Sequence, residues 1–235
     1  DTNRKYHFRT GLNFDARFNL KQNENSYDLF SLKLGPVIRL SEKWRLSSLP
    51  FIQVNLLNYE YMANEGGFFI ALENTDNHFI DTVTIKFGRE TFSTRYAEHN
   101  ASKQEIGSNF VLHDPFGYRD AFAIKPTLSY IKANNSRYTY LYPGLRIQYH
   151  LPLTEELHLG LLMSHNVRLY EGSGPNVSQD RRDFEIVASP SLTLNNILFS
   201  DIALITHYQF LNNSSNDSTH QFESHSVGVA FKWSY

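Results

Sequence analysis

From Lys5 to Leu20 the chain alternates. Tyr6, Phe8, Thr10, Leu12, Phe14, Ala16, Phe18 and Leu20 are apolar or small, and Lys5, His7, Arg9, Gly11, Asn13, Asp15, Arg17 and Asn19 fall between them. Successive side chains of a strand leave on opposite faces, so a period of two predicts one strand with a greasy face and a wet face. The same reading recurs downstream. Ile124, Leu128 and Tyr130 oppose Lys125, Thr127 and Ser129, and Leu145, Ile147, Tyr149 and Leu151 oppose Arg146, Gln148 and His150. Leu157, Leu159, Leu161 and Met163 oppose His158, Gly160 and Ser164, and Val227, Val229, Phe231, Trp233 and Tyr235 oppose Ser226, Gly228, Ala230, Lys232 and Ser234. No segment shows a comparable helical period.

Polar, turn-rich stretches divide these runs. Longer ones lie near 21–26, 62–66, 90–105, 133–136, 171–181 and 211–221, and tighter ones at 41–43, 74–77, 114–119, 152–156 and 195–200; Thr91–Gln104 is either a loop or the extension of two long strands beyond the membrane. The two kinds alternate and imply about twelve strands, most of about 10–14 residues, against the ~9–11 needed to cross a bilayer at a tilt. Pro36, Pro50, Pro126, Pro143 and Pro190 fall inside proposed strands, where a missing N–H weakens the ladder, so bulges are expected there. The pattern predicts an all-β chain in which residues 1–235 form a single domain, a closed antiparallel transmembrane β-barrel. A soluble sandwich alternates too, but a single barrel of about twelve strands is too wide for a dry core of side chains. The wet face also carries Arg and Lys in mid-strand, which suits a hydrated lumen.

Composition narrows the picture. Hydrophobic residues make up 41% and charged residues 20%, which excludes disorder, and no run approaches the ~18 apolar residues of a spanning helix. The net charge of -2 gives no reason to expect a nucleic-acid partner. The absence of cysteine removes disulfides and thiolate metal sites. The chain opens at Asp1 with neither a charged n-region nor an apolar h-region. An export signal is therefore expected to have been removed already, or the chain to be a piece of a longer one.

The C-terminal run Gly228-Val-Ala-Phe231-Lys-Trp233-Ser-Tyr235 resembles the terminal β-signal of bacterial outer-membrane proteins, a glycine followed by alternate apolar or aromatic residues ending on an aromatic. The usual final Phe is Tyr here, and the resemblance covers about eight residues. It implies a multi-pass barrel in the Gram-negative outer membrane with both termini in the periplasm. Gly228, Phe231, Trp233 and Tyr235 then form the assembly signal read by the barrel-assembly machinery, and outer-membrane lipid and lipopolysaccharide surround the barrel. Aromatic residues at strand ends, Trp233 and Tyr235 first and then Tyr138 and Tyr208, fit interfacial girdles.

The wet face collects Lys5, Arg9, Arg17, Lys33, Arg39, Arg45, Lys86, Lys125, Arg146, Arg168 and Lys232, against only Asp15, Asp183 and Glu185. The chain is nearly neutral, so its other acids are expected in loops and turns, with Lys103 among the loop cations. Positive potential focused in a low-dielectric tube draws anions, and Arg9, Arg17, Arg39, Lys125, Arg146, Arg168 and Lys232 are the candidate lumen-lining residues. The competing reading pairs these cations with the few acids, tyrosines and carbonyls and so holds a narrow barrel closed.

Three functions follow. The first is a channel or binding barrel favouring small anionic solutes, similar in size and strand count to the oligogalacturonate- and sialate-specific porins. The second is a translocator or anchor like the twelve-stranded autotransporter β-domain. The third is an outer-membrane lipid hydrolase. The outer-membrane phospholipase family uses a lipid-facing His and a Ser two positions apart; His165 is lipid-facing here, but Val167 stands where the Ser belongs, and Ser164 and Asn166 point the other way. No catalytic set, cofactor or metal is therefore expected. Of the ten histidines, His150 and His158 are predicted to meet across the turn at 152–156, with no third ligand in evidence and hence a hydrogen-bonding role.

Overall fold

A computed structural model describes residues 5–17, 27–57, 60–75, 79–173, 176–196 and 202–233. These form twelve strands: β1 (Tyr6–Arg17), β2 (Tyr27–Arg39), β3 (Trp44–Leu57), β4 (Glu60–Thr75), β5 (Phe79–Phe92), β6 (Ala101–His113), β7 (Ala121–Ala133), β8 (Tyr140–Pro152), β9 (Leu157–Ser173), β10 (Asp180–Leu194), β11 (Ile202–Ser215) and β12 (Phe222–Trp233). They make one sheet in sequence order, each strand antiparallel to the next. An even number of strands brings the start of β1 and the end of β12 to the end of the sheet that carries the 40–43, 114–120 and 153–156 connections. β1 and β12 stand at the two ends of the strand order, and the closure expected between them is not among the described pairings.

One expected loop is strand instead, and a second segment is strand extension on both sides of a shorter connection. Residues 62–66 lie inside β4, and half of 90–105 belongs to the end of β5 and the start of β6, with the connection 93–100 between them holding the 3-10 turn Thr94–His99. The inner face of this sheet is as polar as a loop, so polar composition does not separate the two. β4 begins at Glu60, three residues after β3 ends at Leu57, whereas the 114–120 connection at the opposite end is longer. The expected alternation of long and short connections therefore does not hold, although the strand count does.

Cross-strand partners share a face, and the register carries one face through Arg9↔Gly35, Lys33↔Phe51, Gln53↔Glu65, Glu65↔Glu90, Gly88↔Lys103, Glu105↔Ser129 and Lys125↔Arg146. Side chains from distant strands converge on it. Arg9 of β1 donates to both oxygens of Glu73 on β4, at 2.6 and 3.0 Å. Lys33 of β2 lies within electrostatic reach of Lys86 on β5 and Lys125 on β7, and also of Glu65 on β4 and Glu105 on β6. In a flat sheet β2 and β7 would lie about 24 Å apart at ~4.8 Å per strand. The sheet is therefore curled, with this face inside.

The outer face is apolar and open. Phe8, Ile52, Phe68, Phe87, Ile106, Leu145, Met163, Ile186 and Val229 are all exposed on it. An apolar surface this extensive is unstable against water and suits hydrocarbon. Pro36, Pro50, Pro126 and Pro190 also stand exposed, and by register Pro143 shares their outer face. The ladder skips Pro36 and Pro50 together between β2 and β3, Pro126 between β6 and β7, Pro143 between β8 and β9, and Pro190 between β10 and β11, each time resuming in the same register. The bulges expected at the prolines lie elsewhere, between Asn55 and Leu56 and between Asp180 and Arg182. A missing N–H removes a bond on one side only, and the flanking pairs hold the register.

Candidate functional site

The interior is organised by ion pairs. Glu65, 2% exposed, lies 2.7 Å from the Lys86 ammonium and 3.6 Å from that of Lys103, which holds Glu90 at 2.7 Å. Gly88 makes room for this cluster, since a Cβ there would sit 2.8 Å from Oε1 of Glu65. Glu105 accepts from the Ser129 hydroxyl at 3.2 Å. On the far wall Arg168 and Asn166 both donate to Glu185 at 3.0 Å, and the Arg168 guanidinium lies 5.0 Å from the Tyr142 ring centre. Arg181 grips Asp183 at 2.6 Å and the Tyr170 hydroxyl at 2.8 Å, while Ser215 donates to Asp183 at 2.7 Å. Half-buried pairs of this kind hold the strands that carry them, because removing one partner strands the other charge.

This corrects the charge inventory. Glu65, Glu73, Glu90 and Glu105 face inward although their place was expected in loops and turns, and Lys103 is an interior cation rather than a loop one. The misplacement follows from the misread loops: Glu65, Glu90, Lys103 and Glu105 all fall in segments whose polarity imitates a loop. The one available signal was that Glu65 and Gly67, and likewise Lys103 and Glu105, keep the period of two running through those segments.

Not every inward cation is neutralised. Lys125 and Arg146 are direct cross-strand partners on β7 and β8. Among the described residues no carboxylate comes within 4.0 Å of Lys33, Lys125 or Arg146. The Lys33 ammonium instead sits 4.7 Å from the centre of the Phe69 ring, which stabilises the cation without cancelling its charge. Like charges directly opposite in a ladder are destabilising, so the Lys125–Arg146 pair has no structural benefit on its own.

The other expected lumen residues divide as follows. Arg9 and Arg168 are paired with Glu73 and Glu185, and Arg39, at the end of β2, donates to the Ser41 carbonyl at 3.1 Å. Arg17 and Lys232 pair with Tyr27 and Ala203 in the ladder, and their side chains lie outside those described. In the terminal segment Gly228 faces His207, whose ring leaves no room for a side chain there. Phe231 and Trp233 pair with Leu204 and Ile202, and Tyr235 lies outside the described residues. Tyr138 stacks on His99 with ring centres 3.8 Å apart beside the 94–99 turn, and Tyr208 is exposed on the outer face.

His150 and His158 meet as expected, Nε2 to Nδ1 at 3.0 Å, with the second ring nitrogen of His158 3.3 Å from the Glu155 carbonyl. Among the described residues no group of three or more His, Cys, Asp or Glu is placed to hold a metal. His165 is on the outer face, and its cross-strand partners are Leu145 and Ile186, so no serine stands beside it. A hydrogen-bonded chain does occur on the outer face, from Tyr208 to Nδ1 of His225 and from Nε2 of His225 to Glu223 at 3.0 Å. Its hydroxyl is a phenol, and it pairs off the polar groups of β11 and β12 near the 216–221 connection.

In that connection Asp217 caps the 3-10 turn Ser218–His220. Its carboxyl is held down to about 2, chiefly by the hydrogen bond from the Thr219 hydroxyl, against the upward push of burial and with help from the Thr219 N–H and the Asn176 amide. A carboxyl depressed below its unfolded value of about 4 contributes stability above that pH, and the contribution is lost as pH falls through the folded value. Hydrogen exchange at the Thr219 amide, corrected for intrinsic rate, should stay slow down to about pH 4 and accelerate toward pH 2. In Asp217→Asn it should be fast throughout; a wild-type rate flat across that window would refute the assignment.

Twelve antiparallel strands curled about a charged interior and sheathed in apolar side chains have the fold of a bacterial outer-membrane β-barrel. Among solved structures, the chain is similar to in-vitro folded OmpT, an outer membrane protein of Vibrio cholerae, with a TM-score of 0.50 and 5% identity over 97% of this chain and 95% of that one. It is also aligned with the translocator domain of the autotransporter NalP from Neisseria meningitidis, with a TM-score of 0.36 and 11% identity over 98% of this chain and 86% of that one. The first likeness is one of fold alone, and the second superimposes too loosely to add to it. No protein-family model matches the sequence, and no curated protein does.

Proposed function

We propose that the chain is an outer-membrane barrel whose basic interior favours small anionic solutes, as a channel or as a binding barrel. The observation that carries this reading is the Lys125–Arg146 pair, two interior cations facing each other with no carboxylate in ion-pair reach among the described residues. In the membrane β12 closes against β1, because each unpaired N–H or C=O in hydrocarbon costs several kcal/mol. Both termini then lie in the periplasm, lipid and lipopolysaccharide cover the apolar face, and the barrel-assembly machinery reads residues 228–235 during insertion. The test is the reversal potential of protein reconstituted in a planar bilayer under a salt gradient. Anion preference should be strong in dilute salt and fade toward molar salt, as the screening length falls from about 30 Å at 0.01 M to about 3 Å at 1 M. A cation preference in dilute salt would refute the reading.

A translocator or anchor barrel is the second reading. It is favoured by the ion pairs that tie distant strands together inside, Arg9–Glu73 and the Glu65–Lys86–Lys103–Glu90 cluster. That reading expects no conductance at all in the same bilayer.

A further inference from the structure

Arg9, Lys86, Lys103, Arg168 and Arg181 each have a carboxylate at 2.6–3.0 Å. Acids are thus plentiful inside, yet among the described residues none is in ion-pair reach of Lys125 or Arg146. These two are direct partners in the β7–β8 ladder, so their Cβ atoms lie about 4.5–5.5 Å apart and both side chains can close on one group of atoms. The flanking groups are polar and neutral. Ser164, 8% exposed, is the partner of Arg146 on β9, and the register between Gly107↔Thr127 and Phe110↔Ile124 sets Asn109 beside Lys125 on β6. From the facing wall Lys33, held on the Phe69 ring, lies within electrostatic reach of Lys125, and Glu65 and Glu105 act on it in the opposite sense.

We propose that Lys125 and Arg146 form a discrete site for a doubly charged tetrahedral oxyanion, inorganic phosphate or the phosphate of a monoester. This deepens the anion-favouring reading and rests on it. A monoanion such as chloride leaves one of the two opposed cations uncompensated, and an extended dicarboxylate carries its charges too far apart for so close a pair. A single dianionic group relieves the repulsion of both. The planar fork of Arg146 takes two of its oxygens, Lys125 acts as a point charge on a third, and the Ser164 hydroxyl and the Asn109 amide donate to what remains.

The test is titration calorimetry of the full chain in detergent micelles with inorganic phosphate, which does not depend on conduction. Phosphate should bind saturably at one site at pH 8, and more weakly at pH 5.5, where the monoanion prevails. Lys125→Gln with Arg146→Gln should weaken it by roughly tenfold or more, as expected for two lost charge-assisted contacts. Lys103→Gln, in the paired cluster, should leave it unchanged; folding of each variant is checked by the gel shift between unheated and boiled samples. No saturable phosphate binding by the wild-type protein overturns the site even if bilayer currents prefer anions, and so does succinate binding as tightly as phosphate. Saturable, pH-dependent phosphate binding by a protein that conducts nothing supports the site and removes the channel, so the two failures are separable.

Discussion

Leu145→Arg is expected to destabilise the folded barrel by about 2–4 kcal/mol, while Gln148→Arg on the same strand should change it by no more than about 0.5 kcal/mol. Leu145 is 42% exposed on the outer face near the middle of β8, so a guanidinium there must enter hydrocarbon or drag water to itself. Its cross-strand neighbours Pro126 and His165 offer no carboxylate to pair with. Gln148 lies on the inner face and is exposed, so the same group stays solvated there. Urea unfolding in lipid vesicles measures both. Equal destabilisation at the two positions would mean that the outer face does not meet lipid.

Replacing Lys33, Lys125 and Arg146 together by Glu should reverse the reversal potential in dilute salt, from anion to cation preference. All three are inward cations with no carboxylate in ion-pair reach among the described residues, so none is neutralised by a direct pair. The substitution turns three fixed positive charges into three negative ones in a space where field lines are focused. Arg119→Glu, in the exposed 114–120 connection, is the control and should leave the preference unchanged. Lys103 does not serve as a control outside the lumen, because its ammonium sits between Glu65 and Glu90. Persistent anion preference in the triple variant would place the controlling charge elsewhere.

Much of the architecture is legible from local chemistry. Alternation along segments such as 141–151 assigns each residue to a face without knowledge of any partner, because the two-residue period is a property of the extended backbone itself. The strand count follows from the same period. Loop boundaries are less legible, as 62–66 and 90–105 show, because a wet strand face and a loop are both selected for contact with water. His150 and His158 could be matched across their turn because only eight residues separate them and the hairpin register is local.

The state of each interior charge is a different matter. Which residues face inward is written along the chain wherever the strand itself is recognised, since it depends only on the alternation of each strand; Glu65, Glu90, Lys103 and Glu105 escape because their strands look like loops. Which charges cancel is not, because Coulomb attraction depends on separation and separation inside the barrel is set by stagger and curl. Arg9 finds Glu73 sixty-four residues away, across β2 and β3, only because the sheet bends. The same bend brings Lys33 toward Lys125, and brings Glu65 and Glu105 within electrostatic reach of Lys33 as well. The chain alone therefore determines a basic inner face and a greasy outer one, and the tertiary structure decides that Lys125 and Arg146 are left with charge to spare.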